Sequence, residues 1–150
     1  MSLNEAVNMV RQFHQHIGAP IADKPQLLAG KQKEADFLAA RIENLGRLAR
    51  RSADNDPFLE RLALALEELA EWATAHAKRD LVAAADAWAD RAYVLLGDAV
   101  ACGLPAQELF DEVASVQHDE AVRRSDRRGQ GVSRYALQAA ANPRDTGRRS

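Results

Sequence analysis

The chain has 150 residues, with 20 Lys and Arg against 22 Asp and Glu and a formal charge of −2, a length that suits one apolar core better than two. A single cysteine, Cys102, excludes a disulfide framework and a cysteine-rich zinc site; the 47% hydrophobic fraction, mostly Ala and Leu with only 5% aromatics, favours an all-α fold over a β-sandwich or barrel. The N-terminus MSLNEAVNMVRQFHQH lacks the apolar stretch of a secretory signal, and no run approaches the ~18 apolar residues of a membrane span, so a soluble, cytoplasmic protein with no membrane partner is expected.

Five helices follow in chain order. Ser2 and Glu5 form a capping-box pattern, and Leu3, Ala6, Val7, Val10, Phe13 and Ile17 keep helical spacing until Gly18 and Pro20, which gives a first helix over 3–17. Residues 19–30, with Pro20, Pro25 and Gly30, read as a loop before a second helix over 31–51. Asp56 as N-cap and Pro57 at the first helical position start a third helix that reaches Ala77. Asp80 caps a fourth helix, which runs to Ala101 and ends at Cys102 and Gly103; a fifth covers 105–122. Two or three residues separate the third and fourth helices, so they are expected to pack antiparallel in a bundle of four to five helices. Within residues 121–150, eight Arg face only Asp126 and Asp145, so 123–150 reads as a basic, flexible tail, with a short helix at 133–141, attached to an acidic domain over 1–122.

On the third helix, Phe58, Leu62, Ala65, Leu69, Trp72 and Ala73 share an apolar stripe, and Glu67, Glu68 and Glu71 lie opposite in the spacing EExxE. Three Glu opposite an apolar stripe make a solvated face, but Leu64 and Ala75 among them point to a second contact on that side. The fourth helix is apolar almost all round, as a central helix is. Its stripe of Asp80, Arg91 and Asp98, near Ala84 and Ala87, is the expected water-facing edge. Asp86 and Asp90 stand one turn apart on another face, where they must be exposed, protonated, paired with cations such as Arg of the second helix, or bound to metal. In an antiparallel pair, Glu67, Glu68, Glu71, Asp86 and Asp90 can converge. An all-oxygen set with no His or Cys suits Mg²⁺ or Mn²⁺, and the chemistry such ions support is hydrolysis of a phosphoanhydride.

The chain here resembles the all-α nucleoside triphosphate pyrophosphohydrolases of the MazG-like and phosphoribosyl-ATP pyrophosphohydrolase-like branch, whose metal motif is EExxE on one helix and ExxD on the next. Glu67, Glu68 and Glu71 match the first half, and Asp90, followed by Arg91, Ala92, Tyr93 and Val94, matches the end of the second. VRQFHQHIGAPIADKPQLL near the start and GLPAQELFDEV in the fifth helix extend the likeness over most of residues 7–113, apart from a long insertion-like stretch around the second helix. Ala87 stands where the motif has Glu, with Asp86 as the substitute. The resemblance implies a nucleotide substrate cleaved between its α and β phosphates. Glu67, Glu68, Glu71 and Asp90 would hold Mg²⁺ or Mn²⁺ with support from Asp86, and Glu68 or Glu71 would position the attacking water. Lys78, Arg79 and Tyr93 are candidates for substrate contact, the two cations alternatively capping the negative end of the third helix. The resemblance also implies a homodimer or homotetramer, and Ala87 admits a catalytically weakened nucleotide-binding or interaction module instead.

Other residues carry weaker signals. Trp72 and Trp88 are expected in the core or a dimer contact, His14 and His16 do not face one another, and Cys102 has no triad partner. No P-loop or Gly-x-Gly-x-x-Gly pattern occurs, and nucleic acid is not expected to bind: the Arg-rich tail has one aromatic, Tyr135, and no helix-turn-helix precedes it.

Overall fold

Side chains that satisfy the free backbone N–H groups of a first turn fix three of the helix starts. In a computed structural model, which describes the backbone of residues 1–141 and the side chains of 1–124, α1 (Leu3–Ile17) begins with the Ser2 and Glu5 capping box and ends at Gly18 in the left-handed conformation. α2 spans Gln32–Ala53 and has no side-chain cap bond. The Asp56 carboxylate accepts from the Leu59 N–H at 2.9 Å ahead of α3 (Pro57–Ala77), and Asp80 accepts from the Ala83 N–H at 3.0 Å ahead of α4 (Leu81–Cys102). α5 spans Ala106–Ala141. The order of elements is therefore as the sequence predicts, with no strand among the described residues.

The fifth helix does not stop at 122. It continues through 123–141, where the charge pattern indicates a tail and only a short helix at 133–141. No proline intervenes between Pro105 and Pro143, and Gly129 and Gly131 each cost only ~1 kcal/mol of helix propensity, too little to break a long helix. The side chains of Arg127, Arg128 and Arg134 and all of Arg144, Arg148 and Arg149 lie outside the described residues.

The chain divides into two compact units. One comprises, among the described residues, 1–21 and 107–141. In it α1 lies parallel to the start of α5: Met1 meets Gln107, the His16 and His118 rings stand 5.1 Å apart edge to face, and Met9, Val10 and Phe13 line a crevice with Phe110, Val113 and Ala114. The other unit, Ala22–Ala106, holds α2, α3 and α4, with α3 in the middle. The Gln32 amide donates to the Ala77 carbonyl, which ties the beginning of α2 to the end of α3, and Arg61 of α3 pairs with Asp98 at 2.7 Å near the end of α4, so both contacts are antiparallel.

Small residues build the interior of this unit. Ala39, Gly46 and Ala53 recur every seven residues on α2 and face Ala63, Ala70 and Ala77, which recur at the same interval on α3. A Cβ at Gly46 would lie 3.4 Å from the Leu66 Cβ, which shows how closely the two backbones approach. No large side chain among the described residues is fully buried.

Two expectations are corrected by this arrangement. α4 is an outer helix, not the central one. Its stripe near Ala84 and Ala87 faces α3, not water: Asp98 is satisfied by Arg61, and the Arg91 guanidinium lies 4.8 Å over the Trp72 ring. The apolar stripe of α3 is not the principal buried face, since Phe58 is exposed while Ala63 is wholly buried. The reason is the same each time: methyl groups allow the close helix approach, and Asp98 and Arg91 tolerate the interface because each has a partner. Large apolar side chains are displaced outward, among them Val82, Tyr93, Leu96 and Val100 along one face of α4.

Enlarging a residue of the seam tests it. Ala63→Leu should overpack the α2 and α3 contact and lower unfolding stability by about 1–3 kcal/mol in urea titrations; an unchanged midpoint would show that the helices do not approach as closely as described.

Candidate active site

The local chemistry of the site begins with where helical periodicity aims each glutamate. On α3, Glu68 lies on the side turned to α4, while Glu67 and Glu71 lie beside it, on the flank between α2 and α4. Glu68 is half-buried, and its Oε2 is fully buried with no hydrogen-bond partner. Burial first, and then the charges of Glu71, Asp90, Glu67 and Asp86, push its carboxyl above the ordinary 4.5. The other four carboxylates singled out in the sequence thus all act on Glu68.

Glu67 is engaged differently. Arg50 of α2 donates from Nε to its Oε1 at 2.9 Å and from Nη2 to its Oε2 at 2.5 Å, a bidentate pair that holds the guanidinium proton more firmly than usual. The α2 arginine that reaches the acidic motif is therefore a partner of Glu67, and not of Asp86 or Asp90. Asp86 and Asp90 are both exposed. Ala87 is only 2% exposed and turned into the α3 contact, so Asp86 faces a different direction from the position that the ExxD pattern assigns to Glu.

A cleft of about 660 Å³ opens on this flank, bordered by Glu67, Glu71 and Asp86, by Lys78 from the turn after α3, and by Glu43 and Arg47 of α2. Arg47 is paired with Glu43 one turn earlier. Lys78 thus stands where an anionic ligand in the cleft would meet it. Arg79 holds the left-handed turn position (φ 57°) and Tyr93 is 81% exposed on α4; neither borders the cleft, nor do Glu68 and Asp90. The opposite flank is apolar. There Ala65 and Leu69, the latter about 160° around α3 from Glu67, line a shallow cavity with Trp88 and Leu95.

Sequence reasoning did not single out Arg50, Glu43, Arg47 or Thr74, which also borders the cleft. The available signal was the basic run RLARR at the end of the second helix; which of its members meets Glu67 depends on how near Gly46 lets α2 approach.

The donor set fits a hard divalent cation in kind: it is all oxygen, and one oxygen is buried and unsatisfied. Among the described residues, no three His, Cys, Asp or Glu side chains surround one point closely enough to hold an ion. The carboxylate at Glu67 is taken up by Arg50, and Glu71, Asp86 and Asp90 reach outward.

The raised carboxyl at Glu68 gives a pH signature. A group whose folded pKa exceeds its unfolded value contributes stability below the unfolded value, near 4.5, and loses it as pH rises through the folded one. In chelator, Glu68→Gln should therefore melt above the unsubstituted protein at pH 7, and the difference should vanish near pH 4. A lower melting temperature for Glu68→Gln at pH 7 would contradict the burial of an unpaired charge.

Residues 47–117 match the family model described as phosphoribosyl-ATP pyrophosphohydrolase, part of the MazG-like all-α nucleoside triphosphate pyrophosphohydrolase superfamily. The matched range includes the end of α2 with Arg50, all of α3 and α4, and the start of α5. It holds Glu67, Glu68, Glu71, Asp86 and Asp90 and leaves out residues 7–46, over which the expected likeness finds no support in this match. No curated protein and no solved structure matches the chain significantly.

Proposed function

We propose, on the premise that the segment 47–117 belongs to the phosphoribosyl-ATP pyrophosphohydrolase family, that the protein hydrolyses a nucleoside triphosphate or related nucleotide to the monophosphate and pyrophosphate. The observation that carries this reading is the buried, unsatisfied carboxylate oxygen of Glu68, whose carboxyl feels the charges of Glu71, Asp90, Glu67 and Asp86. Glu67, Glu68, Glu71 and Asp90 would hold Mg²⁺ or Mn²⁺, with Asp86 supporting them. The ion, when bound, supplies screening of phosphate charge and a more acidic water. A water oxygen would form a bond to the α phosphorus as the bond from that phosphorus to the bridging oxygen breaks, and pyrophosphate would depart with the bridging oxygen. Glu68 or Glu71 accepts the water's proton. Lys78, at the border of the cleft, meets phosphate oxygens, while Arg79 and Tyr93 would have to reach substrate from outside it.

The decisive assay is pyrophosphate release from a panel of nucleotides with Mg²⁺ or Mn²⁺. Glu68→Ala should lower release at least ~100-fold, since even groups that only orient a metal ligand are worth 10–100-fold. Release no greater than in this variant, for every nucleotide, would contradict the reading. It would favour the second one, a nucleotide-binding or interaction module, for which the specific observation is Ala87 buried in place of a ligand.

A second copy of the chain completes this proposal. A buried methyl contributes about 0.8 kcal/mol and a large apolar side chain about 1.5–3 kcal/mol, so an alanine interior is a weak one. Val82, Tyr93 and Val100 remain more than 80% exposed along α4. We expect light scattering to give at least twice the 16.5 kDa chain mass, and Leu96→Arg with Val100→Glu to shift the protein toward monomer. A monomer before any substitution would remove this part of the proposal.

A further inference from the structure

Glu67 already carries a cation. Both of its oxygens accept from Arg50, at 2.9 and 2.5 Å, so neither is at full disposal of another ligand. The pair is built in, not incidental. Gly46 lies one turn before Arg50, and a Cβ there would be 3.6 Å from the Glu67 nitrogen and 3.7 Å from its Cγ, so the α2 backbone rests against Glu67 and fixes the point from which Arg50 reaches. Arginine keeps its charge at every accessible pH, so deprotonation of the guanidinium cannot release Glu67.

We propose that Arg50 is a positioning residue that competes with the divalent ion for Glu67, holding that carboxylate in the metal-free protein and setting the affinity of the site by the cost of its displacement. The proposal rests on the reading of Glu67 as a metal ligand. Loading the site exchanges one cation for another, so the cluster does not stand uncompensated at either stage. Lysine would keep the charge but not the planar fork, and glutamine would keep neither.

The test is direct titration of the full chain with Mn²⁺, read as free Mn²⁺ by electron paramagnetic resonance and without any substrate. Arg50→Gln should bind Mn²⁺ about fivefold more tightly or better, the order of effect expected for releasing a partly exposed ion pair, and Arg50→Lys should fall between. Adding Glu67→Gln to Arg50→Gln should cancel the gain. Far-UV circular dichroism checks that each variant is folded; if Arg50→Gln is not, Arg50→Lys carries the test and should be at least about twofold tighter. Unchanged or weaker binding in folded Arg50 variants overturns the proposal. If that binding is also lost in Glu68→Gln, the pyrophosphohydrolase reading stands without it. No Mn²⁺ binding in either the unsubstituted protein or Arg50→Gln overturns both.

Discussion

The close approach of α2 to α3 governs the rest of the structure. Methyls and one glycine, repeated every seven residues on both helices, let the backbones come together without large side chains between them. Two consequences follow from one cause. Arg50 arrives within hydrogen-bonding distance of Glu67, so the first glutamate of the acidic motif is neutralised from the neighbouring helix. The larger apolar residues, with no interior to enter, are left on the outer face of α4 and along α3.

Glu68 differs from its neighbours because of the same geometry. It is the acidic residue that α3 turns toward α4, and the stripe it meets there has Ala84 and Ala87 where bulkier residues would fill the space. An oxygen without a donor in such a place is costly unless a proton or a cation is present. Arg61 with Asp98 and Arg91 with Trp72 show that α4 tolerates charge in this contact when a partner is supplied. Glu68 has none among the described residues, and the family model that residues 47–117 match is one of pyrophosphohydrolases.

Much of the secondary structure was legible because its signals are local. Ser2, Asp56, Pro57, Asp80, Gly18 and Gly103 act on their own turns, and the boundaries of α1 and α3 coincide with those the sequence predicts. The acidic motif was legible too, since helical spacing alone brings Glu67, Glu68 and Glu71 to one side. What escaped was the order of layers. Hydrophobicity makes α4 look central, but a helix is buried according to which neighbour its small residues admit, and alanine reads as weakly apolar in any periodicity. The stripe of Asp80, Arg91 and Asp98 was misjudged for the related reason that a charge in sequence carries no record of its partner. Arg50 is the same case from the other side: its role depends on a contact 17 residues away. The fifth helix was cut short because glycine and arginine composition resembles a tail even where the backbone stays helical.

The account stands on carboxylates of α3 and α4 sharing divalent ions. X-ray data from crystals soaked in Mn²⁺ and collected near the manganese edge measure this without reference to turnover. An anomalous peak at ~2.0–2.6 Å from oxygens of Glu68 and Asp90 is the predicted result. Fully occupied lattice sites elsewhere, with no peak between the two helices, would contradict it.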